Sequence, residues 1–168
     1  MKTLGAAFSL VLAAGTAQAQ VSVTKTGAFT RMQCATPSIS TAYSAGQQVG
    51  PGIVMGNVFR ADGPNYGGTL MSITLTSKSL QTTAFKLYQY DQNPSASGSH
   101  LKAPIALTAA DSGLGGGATV YGRDNINRAI GRELSTSDPN DYWVIVTTGD
   151  TSFASASDLT LCVTYQLD

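Results

Sequence analysis

Short segments in which apolar and polar residues alternate recur along the chain between Gly, Pro, Asn and Asp turns. This is the period-two signature of strands with one buried face. The clearest is 69–76, which places Met71, Ile73 and Leu75 on one face and Leu70, Ser72, Thr74 and Thr76 on the other. Residues 158–167 repeat the pattern, with Leu159, Leu161, Val163, Tyr165 and Leu167 inward and Thr160, Cys162, Thr164 and Gln166 outward. Further strands are predicted at 28–34, 53–60, 84–90 and 142–148. The last holds the only tryptophan, Trp143, beside Val144, Ile145 and Val146, a run that suits a central strand buried on both faces.

The punctuation agrees with this pattern. Asp62-Gly63-Pro64-Asn65, Asp91-Gln92-Asn93-Pro94 and Asp138-Pro139-Asn140-Asp141 all carry turn chemistry. Residues 94–104 and 112–118 are poor in bulky side chains and read as surface loops. Helix signals are few: Thr108 with Ala109, Ala110 and Asp111 caps one turn before Gly113, and 125–134 reads as a short helix or an irregular strand. No internal repeat of solenoid or propeller length is present. The expected fold is all-β: an antiparallel, jelly-roll-like β-sandwich with at most one or two short helices.

The first twenty residues change the setting in which that fold is read. Lys2 precedes the apolar stretch 4–14, and Ala17-Gln18-Ala19 follows as a small-x-small cleavage pattern, the layout of a signal peptide. The apolar run is shorter than the ~20 residues that a bilayer span needs. Residues 1–19 are therefore expected to be a leader and 20–168 a single β-sandwich domain, exported to the periplasm or the exterior, with no membrane insertion after cleavage. A domain of this size can bury its own core without a metal.

An oxidising compartment gives the two cysteines, Cys34 and Cys162, a role. As the only two in the chain, near its start and its end, they are expected to form one disulfide between the first and last strands. The formal net charge of zero provides no basic field, so nucleic acid is not an expected partner.

Chemistry-bearing motifs are sparse. Gly115-Gly116-Gly117 lacks the Lys-Ser/Thr of a phosphate loop. The sole histidine, His100, sits in a Ser-rich loop without a Gly-x-Ser-x-Gly elbow, and Glu133 is the only glutamate. Neither a nucleophilic triad nor a glycosidase carboxylate pair is legible, and no Cys/His or acidic spacing suits a metal. The expectation is no catalytic residue, no metal and no cofactor. Seven tyrosines stand out in so weakly charged a chain. In 84–90, Phe85 and Leu87 alternate with Lys86, Tyr88 and Tyr90, which makes Tyr88 and Tyr90 the best candidates for an exposed binding pair. Cross-strand packing is the alternative use of the same residues.

The stretch Thr41-Ala42-Tyr43-Ser44-Ala45-Gly46-Gln47-Gln48-Val49-Gly50 is followed by Phe85-Lys86-Leu87-Tyr88 with Asn93-Pro94. The chain then closes with Tyr142-Trp143-Val144-Ile145-Val146 and Ser157-Asp158-Leu159-Thr160-Leu161. In order and spacing over 36–168, these resemble a family of small tailed-phage and prophage proteins that are virion-associated. That resemblance implies a β-sandwich which decorates or assembles on a particle, with a protein partner or self-association and no catalytic residues. The leader lies outside the likeness and implies an exported version of the same domain. Two functions follow as expectations: a structural surface module that assembles through its β-sheet surface, or an exported binding module for glycan or cell surface.

Overall fold

The computed structural model describes residues 29–56, 58, 67–90, 93–94, 104–108, 112–115, 117–131 and 140–167. The leader, His100, the 62–65 turn and Glu133 lie outside the described residues. The described chain is all-β and antiparallel throughout, in two main sheets. One runs β1 (Phe29–Ala35), β12 (Leu159–Leu167), β4 (Gly67–Ser77), β8 (Ala118–Arg123) and β7 (Ser112–Gly115), with β9 (Arg128–Gly131) also on β4. The other runs β3 (Ile53–Met55), β10 (Asp141–Thr147), β5 (Phe85–Tyr90) and β6 (Ile105–Leu107). A small ribbon pairs β2 (Ala42–Tyr43) with β11 (Thr151–Ser152).

The inward residues of both sheets form one core, as a sandwich requires. From the four-stranded sheet come Trp143, Ile145, Phe85 and Leu87; from the six-stranded sheet come Leu75, Leu161, Val163, Tyr165 and Tyr121. Phe85 and Tyr121 meet edge to face across it, with ring centroids 5.4 Å apart, a favoured geometry for the ring quadrupoles. In β12, Leu159, Leu161, Val163, Tyr165 and Leu167 are all buried, as the alternation requires. Trp143, with Ile145 beside it, lies in a strand paired on both sides.

Three sequence expectations need correction. Met71 does not share a face with Ile73 and Leu75. The register slips between Thr164 and Tyr165, whose partners are Ser72 and Leu70, so Met71 is an extra residue and Leu70 enters the core beside Ile73. Such a bulge resets the alternation. Here it falls where β4 changes neighbours from β9 to β8, and the Met71 carbonyl accepts a bond from the N–H of Ile126. Residues 112–118 are a hairpin rather than a loop: β7 pairs with β8 around Gly117, whose φ of 91° suits only glycine. Within 125–134, the described residues take the strand alternative as β9, and the turn of helix expected after Thr108 lies outside the described residues. The strand predicted at 53–60 stops at Met55.

Two hydroxyl-rich networks fix one end of the sandwich. Asp158, 1 % exposed, accepts bonds from the hydroxyls of Ser77 (2.6 Å) and Ser79 (2.8 Å) and from the N–H groups of Ser79 and Ala154. Burial pushes its carboxyl up, but these donors outweigh burial and hold it below the usual carboxylate range. Gln81 donates to the Ser152 carbonyl and to the Ser79 hydroxyl while its backbone N–H meets Thr119. The Tyr121 hydroxyl donates to the Thr83 carbonyl. Together they tie the β4–β5 connection to β8, β11 and the start of β12.

The corner after β2 depends on Gly50. Its φ of 70° is left-handed, and an added Cβ would lie 2.9 Å from Ile39 Cγ2 and 3.2 Å from the Ser38 carbonyl oxygen. The N–H groups of Ser40 and Gly50 both donate to the Tyr43 hydroxyl. Gly50→Ala is expected to lower stability by about 1–3 kcal/mol, the order of a strained non-glycine backbone, read as a lower urea midpoint.

Candidate functional site

The two sheets turn different surfaces to solvent. The outward positions of the six-stranded sheet are mostly hydroxyls, with Thr76 beside Thr160, Ser72 beside Thr164 and Thr74 beside Cys162. The Thr36 and Thr160 hydroxyls are bonded at 2.8 Å. The Cys34–Cys162 disulfide lies on this face and joins directly opposed residues of β1 and β12. Cys34 is exposed, so the bond is open to solvent.

The outer face of the four-stranded sheet is aromatic and aliphatic. Strand alternation sends Val54 of β3, Tyr142, Val144 and Val146 of β10, and Tyr88 and Tyr90 of β5 to the same side, because Ile53, Met55, Trp143, Ile145, Phe85 and Leu87 take the core. Register then builds rows across the strands. Tyr142 stands between Val54 and Tyr90, Val144 opposes Tyr88, and Val146 lies between Lys86 and Gln48. Val54 is 50 % exposed, and Tyr88, Tyr90 and Tyr142 are half-buried. Tyr88 and Tyr90 thus face outward and pack across the strands against Val144 and Tyr142. Tyr142 joins them. The tetrapeptide Asp138-Pro139-Asn140-Asp141 reads as a turn and Trp143 anchors an apolar run, so only the alternation with Trp143 could have marked Tyr142 as outward.

A recess of about 350 Å³ on this face is lined by Tyr90, Tyr142, Val54 and Val144 together with Gln48, Asn93 and Pro94. Tyrosine faces supply apolar contact with little conformational freedom to lose, and the carboxamides supply hydrogen-bonding groups. Two other recesses have different characters. A larger one, about 450 Å³, runs beside Tyr43, Gln47 and Asp150. Its polar groups hold the corner together: Asp150 accepts from the Ala45 N–H at 3.0 Å and Gln47 from the Ser44 N–H at 2.7 Å. The third lies at the β8–β9 turn beside Arg123 and Arg128, where Asn125 and Asn127 are left-handed and burial lowers the Arg128 pKa.

Directly beneath the tyrosine face is a polar cluster that the sequence did not disclose. Asp141, fully buried, accepts bonds from the Tyr165 hydroxyl (2.7 Å), the Trp143 indole N–H (2.8 Å) and the Gln89 amide (3.0 and 3.2 Å). Trp143 also donates to the Tyr165 hydroxyl at 3.1 Å. The cluster therefore links β5 and β10 of one sheet to β12 of the other. Burial pushes the Asp141 carboxyl up to about 7 against the opposing pull of these donors. Tyr165 is raised well above its ordinary value, first by burial and then by the charge of Asp141.

Among the described residues no three His, Cys, Asp or Glu side chains gather as a metal site, and no helix is long and apolar enough to cross a membrane. The disulfide is compatible with export. Compared with known proteins, the chain matches no family model and no curated relative.

Proposed function

We propose that this protein is a non-enzymatic structural module, exported by its N-terminal leader, that attaches to a larger assembly through the outer face of its four-stranded sheet. The observation that carries this reading is the contrast between the two outer faces. One is mostly threonine and serine hydroxyls, with Met32 and Val120 exposed among them; the other gathers three tyrosines and three valines in rows, with Val144 largely buried between the tyrosines. Aromatic residues are enriched at protein interfaces, and a sheet face that presents them in rows suits a protein partner. The resemblance of 36–168 to virion-associated proteins supports a particle as that partner.

A specific observation also favours glycan as ligand: Tyr90 and Tyr142 line a recess together with Gln48 and Asn93. Size-exclusion chromatography with light scattering of the exported protein, alone and mixed with particles from the same host, separates the readings when run beside a glycan array. Tyr90→Ala/Tyr142→Ala should weaken particle binding by tenfold or more, the scale of a truncated hot-spot pair, with little change in urea midpoint. A wild-type protein that stays monomeric and binds no particle removes the structural reading. Array binding lost in the double variant would put the glycan reading in its place.

A further inference from the structure

We propose that Asp141 is a neutral carboxylic acid in the folded protein and acts as a proton-operated lock between the two sheets, with Gln89 turning its carbonyl oxygen to accept the acid proton. Among the described residues, the partners of Asp141 are a carboxamide, an indole, a phenol and the backbone N–H of Tyr142, and none is a cation. A carboxylate held in a dry interior without a countercharge is strongly disfavoured, and protonation is the usual relief.

The side-chain bonds favour Oδ1 as the oxygen that carries the proton: Oδ2 accepts from Tyr165 at 2.7 Å, Trp143 at 2.8 Å and the Gln89 amide at 3.0 Å, whereas among the side chains of the described residues Oδ1 has the longer 3.2 Å bond from the same amide. Gln89 is itself buried, and its Oε1 has no partner. Turning the amide by half a rotation exchanges its oxygen and nitrogen within almost the same volume. Oε1 then faces Oδ1 and accepts the acid proton, in exchange for the amide N–H bonds that Gln89 otherwise gives to Asp141. Loss of the proton removes this bond and leaves a negative charge amid Trp143, Tyr165 and Gln89, the residues through which β10, β12 and β5 meet.

Among the described residues the surrounding groups do not supply a competing titration in the same range. Tyr165 on β12 is raised well above its ordinary value, by burial first, and stays neutral. Arg31 on β1, the register partner of Tyr165, acts on that phenol. Met55 faces Asp141 from β3 and Gln89 from β5. Asp158, which accepts bonds from Ser77, Ser79 and Ala154, is shifted the opposite way.

Because burial raises the folded-state pKa of Asp141 from 3.8 to about 7, its contribution to stability is complete below about pH 4 and is lost as pH rises through 7. Over that window the unfolding constant should increase about tenfold per pH unit, on the order of a thousandfold in all. Asp158 acts in acid: its depressed value makes its contribution fall away as pH drops below the ordinary carboxylate range. The test is a carbon-13 carboxyl NMR titration of the wild-type protein, joined to urea midpoints from pH 4 to 8 for wild type and Asp141→Asn. A carboxyl carbon of Asp141 that titrates near 7, with a wild-type decline that Asp141→Asn lacks, supports the lock. Titration near 4, or equal pH slopes for the two proteins, overturns it. Should Asp141→Asn fail to fold, the wild-type titration decides alone.

Discussion

Replacing both Cys34 and Cys162 with serine is expected to lower the unfolding free energy by about 5 kcal/mol, the chain-entropy value for a loop of this length. The two residues are separated by 128 positions, so the bond restrains nearly the whole described chain when it is unfolded. The native structure should change little. β1 is held to β12 by a seven-pair ladder that runs from Phe29 opposite Leu167 to Ala35 opposite Leu161, and that ladder does not depend on sulfur. The effect therefore belongs mainly to the denatured ensemble, which becomes less compact without the cross-link, and the urea m-value should rise as the midpoint falls. A domain with the usual 5–15 kcal/mol of stability would lose a large part of it. Because Cys34 is exposed, dithiothreitol should reproduce the serine variant without prior denaturation. A loss below about 1 kcal/mol, or a wild-type midpoint indifferent to reductant, would contradict this account of the bond.

Trp143→Ala should be the most damaging single change in the core, lowering stability by about 3–5 kcal/mol as large aromatic truncations do. Trp143 is fully buried in a strand paired on both sides, so neighbouring backbone cannot collapse into the space. Its indole N–H also serves Asp141 and Tyr165 at once. Trp143→Phe divides the two contributions: it keeps most of the packing and removes the donor, and should cost about 1–3 kcal/mol, the range for leaving a buried polar group short of a partner. Urea denaturation followed by circular dichroism measures both variants, since they lack the chain's only tryptophan as a fluorophore. Equal losses for the two would assign the effect to the hydrogen bonds and not to packing.

Much of this architecture was legible because strand alternation is a local property. Residues 158–167 alternate without interruption and pack as the pattern requires, and the same alternation in 84–90 placed Tyr88 and Tyr90 on one outer face. The cysteines were legible from their number and position. The failures have equally local causes. A bulge at Met71 depends on β4 exchanging one neighbour for another, which no residue in 69–76 announces. In β7, Leu114 is the one large apolar residue among Ser112, Gly113 and Gly115, too few to show a period, and the two-residue strands β2 and β11 are too short to show any. Asp141 resembled a turn residue because Pro139 and Asn140 precede it. Its burial follows from Trp143, Gln89 and Tyr165, which lie on three different strands and meet only in the folded protein. Tyr142 was hidden because an apolar run beside tryptophan reads as buried on both sides.

Tyrosine footprinting of the protein, free and mixed with the proposed particle partner, measures whether the tyrosine face is the surface that binds. Mild nitration followed by peptide mass spectrometry reports each tyrosine separately. Tyr88, Tyr90 and Tyr142 should become protected on binding, while Tyr43, which lies beside another recess, keeps the reactivity it has in the free protein. Protection of Tyr43 with unchanged labelling of Tyr88, Tyr90 and Tyr142 would contradict it.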